Sequence, residues 1–378
     1  MAASVKWYYG WCLALVLSLA SLFLAWPCYE CFDSEFIAWK VVMLKAEQPL
    51  HTLDHIEPQS WLSKKVFRLS VPVLIGLLHL KPFGAMVLQY VVGYLLIHFI
   101  YRLSRRVLQD PVSATYLTAG MTFLYFGRTA FVDVQHLWFD AFAYFFLVLA
   151  MYARSSWSIF LFATAAAWTD ERAFMALGIV HFFHQLAQKN SGPVRMLDLL
   201  RPGKNGMFVL LSIAVYLALR GYLTHFHGMS ISTYAAEPKY LRITLPYIPI
   251  ATWTFLEGSW LLYVVAVFSA FRRREHFLLL AFLLVIAAAM LISGSVADLT
   301  RSGSYVVPII FVLIMYLRHM LPAPPLRRLI LVAAAISLLF PSTFVCTDWP
   351  MYWWFRWPLP VEGARHLLDA IAVRYGAG

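Results

Sequence analysis

Apolar runs of about 15 to 22 residues recur along the whole chain and are separated by short polar turns, the pattern of helices long enough to approach a bilayer crossing. The runs fall at 8–26, 83–103 (after a short apolar piece at 71–80), 112–126, 140–152, 157–167, 173–186, 207–223, 250–271, 277–292, 305–317 and 329–344. They predict an all-α, polytopic helical membrane protein with about 11 transmembrane helices. The third to sixth runs are short for a hydrocarbon core of ~30 Å, so two of them can pair as a re-entrant element. The first run is longer than the ~7–15 residues of a signal peptide, and it ends in Trp26-Pro27-Cys28 rather than in small residues, which marks a retained helix. No internal repeat is evident, and the Pro-rich pieces at 191–193 and 322–325 are tight connections. A single transmembrane domain is expected over 1–378, with an outer loop at 27–70 and a short Trp-rich outer tail at 345–378.

Composition agrees: 61% of residues are hydrophobic and 13% charged, against roughly 25% charged in a soluble domain. The net charge of +11 resides in clusters beside the apolar runs, such as Arg102, Arg105 and Arg106, and Arg272-Arg273-Arg274. That is the mark of cytoplasmic turns, and no nucleic-acid-binding motif accompanies it. With the amino terminus cytoplasmic, the inner turns hold only Asp110, Asp198 and Glu275 of the nineteen acids. The acids are therefore concentrated towards the outer face.

The outer loop opens with Glu30, Asp33 and Glu35, ahead of two amphipathic stretches. One, 34–46, carries Ile37, Val41 and Leu44; the other, 60–69, turns Trp61, Leu62, Val66 and Phe67 towards lipid. A like-charged neighbour and a nearby membrane raise a carboxyl pKa, which suits Asp33 or Glu35 to a general base; helix capping and a solvated loop edge are the plainer alternative. The turn at 127–139 holds Arg128, Asp133, Gln135 and His136 and runs into Asp140. These are either ordinary loop residues or a set that orients a substrate or holds an optional divalent cation, magnesium or manganese. Asp170-Glu171-Arg172 sits in a tight turn, either a solvated hairpin tip or the lining of a cavity. Arg301, ahead of Tyr305, carries a fork suited to phosphate, or else simply pairs with Asp298 at a helix end. Glu257, inside the eighth run, is expected to face the protein interior. Cys28, Cys31 and Cys346 lie on the outer side, where a disulfide is permitted, but they are too few for a zinc site, and His225-x-His227 is a weak metal signal. Trp349, Trp353, Trp354 and Trp357 read as an interfacial belt, followed by a surface helix containing Val361, Leu367, Leu368 and Ile371.

The order of these features resembles the GT-C superfamily of polytopic glycosyltransferases, over roughly residues 7–320. Asp33-Ser34-Glu35-Phe36-Ile37-Ala38 looks like that family's acidic first-loop motif, Asp133 its second acidic position, 165–173 (AAAWTDERA) its mid-chain turn, and 302–308 (SGSYVVP) its late basic-aromatic segment. The chain departs from better-known members in lacking a large soluble carboxy-terminal domain. The resemblance implies transfer of a sugar from a polyprenyl-phosphate-linked donor to a hydroxyl of a glycan, lipid or protein acceptor on the non-cytoplasmic face, with inversion. Asp33 or Glu35 would be the base, with Asp133, His136, Asp170, Glu171, Arg172, Arg301 and Tyr305 at the substrate. A bacterial inner membrane is the expected location. The competing functions are a polysaccharide polymerase or ligase of another fold, and a transporter or flippase for a lipid-linked substrate, which would favour ionisable residues at mid-bilayer and repeated halves.

Overall fold

The computed structural model describes residues 8–24, 32–53, 56, 61–133, 139–188, 202–230, 242–340, 343–346 and 352–353. Glu30, Cys28, Cys31, Gln135, His136, Trp349, Trp354, Trp357 and the expected carboxy-terminal surface helix lie outside the described residues.

The described chain is helical apart from one two-residue strand pair. The helices are α1 (Tyr9–Leu24), α2 (Ile37–Glu47), α3 (Ser70–Leu77), α4 (Pro82–Leu108), α5 (Pro111–Phe123), α6 (Tyr125–Val132), α7 (Asp140–Tyr152), α8 (Ser156–Thr169), α9 (Glu171–Gln188) and α10 (Lys204–His227). They continue with α11 (Ile248–Leu256), α12 (Trp260–Arg272), α13 (His276–Gly294), α14 (Leu299–Gly303), α15 (Ile309–Met320) and α16 (Ala323–Leu339). Strand β1 (Thr343–Phe344) pairs antiparallel with β2 (Tyr352–Trp353).

Among the described residues, five helical stretches are long and apolar enough to cross a membrane: Pro82–Leu108, Lys204–His227, Arg242–Arg272, His276–Gly294 and Leu299–Met320. The remaining expected spans form shorter helices. The run expected at 112–126 breaks at Leu124, whose extended backbone separates α5 from α6. The run at 250–271 breaks at Glu257, which has φ 44° and is fully buried. Neither break contains proline. At the second, Gly258 lies so close to the Ala333 carbonyl of α16 that no side chain fits, and its N–H donates to Ser337 Oγ at 3.1 Å.

Burial sorts the helices. Every residue of α15 from Ile309 to Ile314 is buried, and α7 is covered along most of its length, so these two form the centre. Helices α10 and α13 expose Leu210, Leu217, Phe226, Leu283 and Leu291, as apolar helices at a lipid-facing periphery do. The elements between α1 and α3 correct one expectation. Leu62, Val66 and Phe67 of the 3-10 turn Trp61–Phe67 do not face lipid but are buried in the core, and in α2 Trp39 and Val42 are likewise turned inward. The cause is a protein surface waiting above the short helix α8: Leu69 N–H donates to Trp168 O at 2.8 Å and Ser70 Oγ to Ala165 O at 2.8 Å.

Contacts between distant turns divide the molecule into two ends. At one, Arg327 grips Asp110 with two hydrogen bonds (3.0 and 3.1 Å), Arg318 donates to Val107 O, and Arg106 donates to Tyr152 O at 2.8 Å. Asp110 also caps α5, accepting from the N–H groups of Val112 and Ser113, with Pro111 at the first helical position. The acidic turns gather at the other end. This is the alternation that the order of basic and acidic turns predicts.

Candidate functional site

The acidic end is built around two aspartates that are completely buried, Asp140 and Asp170. Asp170 is placed by helix capping: its carboxylate accepts the backbone N–H of Arg172 at 3.0 Å at the start of α9. Arg172 then wraps back and donates Nε to Oδ1 and Nη2 to Oδ2, both at 2.7 Å, in a side-on pair. Arg68, following the 3-10 turn Trp61–Phe67, approaches Asp170 Oδ2 at 3.0 Å and Glu171 at 3.1 Å. Arg301 on α14 donates Nη2 to Asp170 at 3.4 Å, Nη1 to Asp298 at 3.2 Å, and Nε to Asp140. Asp140 opens α7 behind Phe139, a non-glycine residue held at φ 63°. It accepts from Tyr305 at 2.6 Å and from Tyr125 at 3.1 Å, and Arg172 lies 3.6 Å away.

Arginines from three separated segments thus share two carboxylates, with Glu171 and Asp298 at the edge. Arg172 is the most exposed of the three, its side chain 11% accessible; it also donates to Ser302 Oγ at 3.1 Å and lies over the Tyr305 ring. Close by, the fully buried Tyr144 ring packs on Tyr305, and its hydroxyl has no hydrogen-bond partner among the described residues. Burial pushes Asp170 towards protonation, but the guanidiniums of Arg172, Arg68 and Arg301 outweigh it and hold the carboxyl below its ordinary range. Lys65 lies in the same region over the Phe139 ring; burial and then Arg68 pull its pKa well down, against an upward pull from Asp133. Stability alone does not account for such a network, because well-packed apolar side chains serve a core as well or better.

The segment after α16 closes one flank. Val345 O accepts from Leu299 N–H, Thr300 Oγ1 accepts from Val345 N–H at 3.0 Å, and Cys346 Sγ donates to Asp298 at 3.2 Å.

Of the residues singled out from sequence, Asp170, Glu171, Arg172, Arg301 and Tyr305 come together. Asp133 is buried at the end of α6, where its carbonyl accepts from Gln89 at 2.6 Å and its charge is felt by Lys65. Glu257 is buried as expected. Asp33 and Glu35 are exposed: Asp33 Oδ1 accepts the Glu35 N–H at 2.8 Å, and Glu35 pairs with Lys40 at 3.2 Å. Among the described residues neither has a hydrogen bond or ion pair to the arginine cluster. They do adjoin a different feature. Phe32 lines an apolar groove of about 720 Å³ between the ends of α1 and α4, walled by Leu19, Leu22, Phe83 and Met86. Among the described residues, no three His, Cys, Asp or Glu side chains are grouped so as to hold a metal ion.

The depth of the cluster follows from helix lengths. Helices α7 and α8 have 13 and 14 residues, about 20 Å at 1.5 Å per residue, too short for a ~30 Å core. Helix α10 runs beside α8 in the same direction: Ser156 hydrogen-bonds Asn205 at one end, and the rings of Trp168 and Tyr216 meet at 5.0 Å at the other. Beyond Tyr216, α10 continues to His227, about 16 Å further. The ion cluster therefore lies well below the far end of α10.

No family model, curated protein or solved structure matches the chain.

Proposed function

We propose that the protein is a membrane glycosyltransferase that takes a sugar from a polyprenyl-phosphate-linked donor and attaches it to an acceptor hydroxyl on the non-cytoplasmic face of a bacterial inner membrane. The observation that carries this reading is the gathering of Arg68, Arg172 and Arg301 around Asp140 and Asp170, at the ends of helices too short to span. Irregular polar backbone at membrane depth is tolerated where protein or a water-filled cavity covers it, and a guanidinium set there suits an anionic group arriving from lipid. The apolar groove at Phe32 offers a seat for a hydrocarbon chain beside the exposed carboxylates of the first loop.

In this mechanism Asp33 removes the proton from the acceptor hydroxyl, and that oxygen attacks the anomeric carbon from the face opposite the phosphate. The carbon–oxygen bond to the lipid phosphate breaks, both electrons leave with the phosphate, and the configuration inverts. The second oxygen of Asp33 is available for the proton, while Glu35 is engaged by Lys40. Arg172 and Arg301 stabilise the charge gathering on the leaving phosphate. Asp140, Asp170 and Tyr305 hold the guanidiniums in place. Asp133 orients the substrate in this reading, with a divalent cation as an optional partner.

The test is incubation of the reconstituted protein with radiolabelled polyprenyl-phosphate sugars and candidate acceptors. Asp33→Asn is expected to reduce transfer by about 10²–10⁴, the usual contribution of a positioned base. Undiminished transfer by Asp33→Asn removes Asp33 from that role. Label that crosses the membrane still attached to its lipid identifies a flippase instead, and transfer of an assembled chain identifies a ligase.

A further inference from the structure

Arg220 stands apart from the other arginines at this end of the molecule. It is the one charged residue between Met207 and Leu223 of α10, a helix on the periphery, and lies seven residues from the helix end, or about 10 Å. An arginine in such a position normally reaches for the nearer interface. Arg220 does the reverse: Nη1 donates to the hydroxyl of Tyr216, one turn back, and the guanidinium lies over the rings of Phe67 (4.5 Å) and Tyr216 (5.7 Å). Tyr216 is itself wedged between Trp168 and Phe174, each ring at 5.0 Å. The shelf is therefore fixed by packing.

Arg68, Arg172 and Arg301 each have a buried carboxylate. Among the described residues Arg220 has none; Glu171, whose charge reaches Tyr216, is already held by Arg68. A guanidinium stacked by its face keeps its edge donors in the plane, the geometry that takes two phosphate oxygens at once. On the same helix Leu217, Leu219 and Tyr222 are exposed and offer apolar surface for chains beside it.

We propose that Arg220 and the Phe67–Tyr216 shelf bind the phosphate of a membrane lipid from the leaflet at this end of the protein. The site is separate from the buried cluster and does not depend on the sugar-transfer reading.

The test is native mass spectrometry of the full chain purified in a neutral detergent, titrated with phosphatidylglycerol, polyprenyl phosphate or phosphate-free diacylglycerol. The wild type is expected to retain both phosphate lipids and not diacylglycerol. Arg220→Gln should weaken that retention by about tenfold or more, the usual worth of a charge-assisted hydrogen bond, and Arg220→Lys should fall between because it keeps charge without the fork. Loss for both lipids supports a general phosphate site, and loss for one alone supports the site and names its occupant. Retention of both by Arg220→Gln within twofold of wild type overturns the proposal, as does equal binding of diacylglycerol. Should Arg220→Gln fail to fold, Phe67→Leu decides: weaker retention supports the shelf and unchanged retention overturns it.

Discussion

Replacing Asp140 by Asn tests whether the buried network is a single coupled unit. The carboxylate is fully buried and faces four donor groups: Arg301, Tyr305 at 2.6 Å, Tyr125 at 3.1 Å and Arg172 at 3.6 Å. Asparagine keeps one acceptor oxygen but turns an NH₂ towards the remaining donors, so about two of the interactions are lost. Hydrogen bonds to charged groups contribute about 1.5–3 kcal/mol each, and breaking a buried pair costs about 3–5 kcal/mol, so a loss of about 3–5 kcal/mol is expected. Arg301→Met should cost a similar amount, because it takes the closest cation from buried Asp140 and one of three from Asp170. The double variant should cost less than the sum by about 2 kcal/mol, since a charge removed with its partner leaves nothing unpaired. Denaturant and thermal unfolding in detergent, followed by tryptophan fluorescence, measure all three. Single-variant losses under about 1 kcal/mol that simply add would refute a coupled network.

Two other predictions concern parts of the molecule away from the cluster. Lys45 on α2 is buried with its ammonium on the His51 carbonyl (3.1 Å), and burial lowers its pKa to about 8. Between about 8 and its ordinary 10.5 the unfolded chain binds the extra proton, so Lys45 makes stability rise with pH through that window; Lys45→Met should flatten the rise in unfolding free energy measured from pH 7 to 10.5. Gly258→Ala would drive a methyl into the Ala333 carbonyl and should lower the unfolding free energy by about 1–3 kcal/mol, against near-neutrality for the same change at Gly221, which meets nothing within 4 Å.

Much of the architecture was legible because the membrane enforces it. Basic turns and acidic turns alternate along the chain, and the structure collects them at opposite ends, as Arg327 with Asp110 and Arg301 with Asp170 demonstrate. The Asp170-Glu171-Arg172 triplet and Arg301 were visible because charges in so short a turn have few places to go. Arg68 was hidden by its neighbours Lys64 and Lys65, which make it look like a solvated surface residue; its carboxylates lie about a hundred residues away in the chain. In sequence Asp140 reads as one of two carboxylates of a polar turn, and nothing local announces that four donors converge on it. Arg220 is inconspicuous inside an apolar run because the rings that accept it come from Phe67 and from its own helix. The break at Glu257 had one local sign, the Gly258 beside it. The close approach of α16 that demands this glycine is a tertiary fact. The eleven apolar runs of the sequence pattern become long and short helices because polar turns that bind one another pull their helix ends below the level of α10.

The most direct test of the catalytic reading is the rate of sugar transfer from a radiolabelled polyprenyl-phosphate sugar by Arg172→Lys in nanodiscs. Arg172 is the cluster arginine nearest to solvent, and lysine keeps its charge while losing the fork that pairs with Asp170. A guanidinium that stabilises the leaving phosphate predicts a fall in kcat of about 10²–10³ with little change in KM. Wild-type kcat in Arg172→Lys, or a wild-type protein inert towards every lipid-phosphate sugar, would contradict the account.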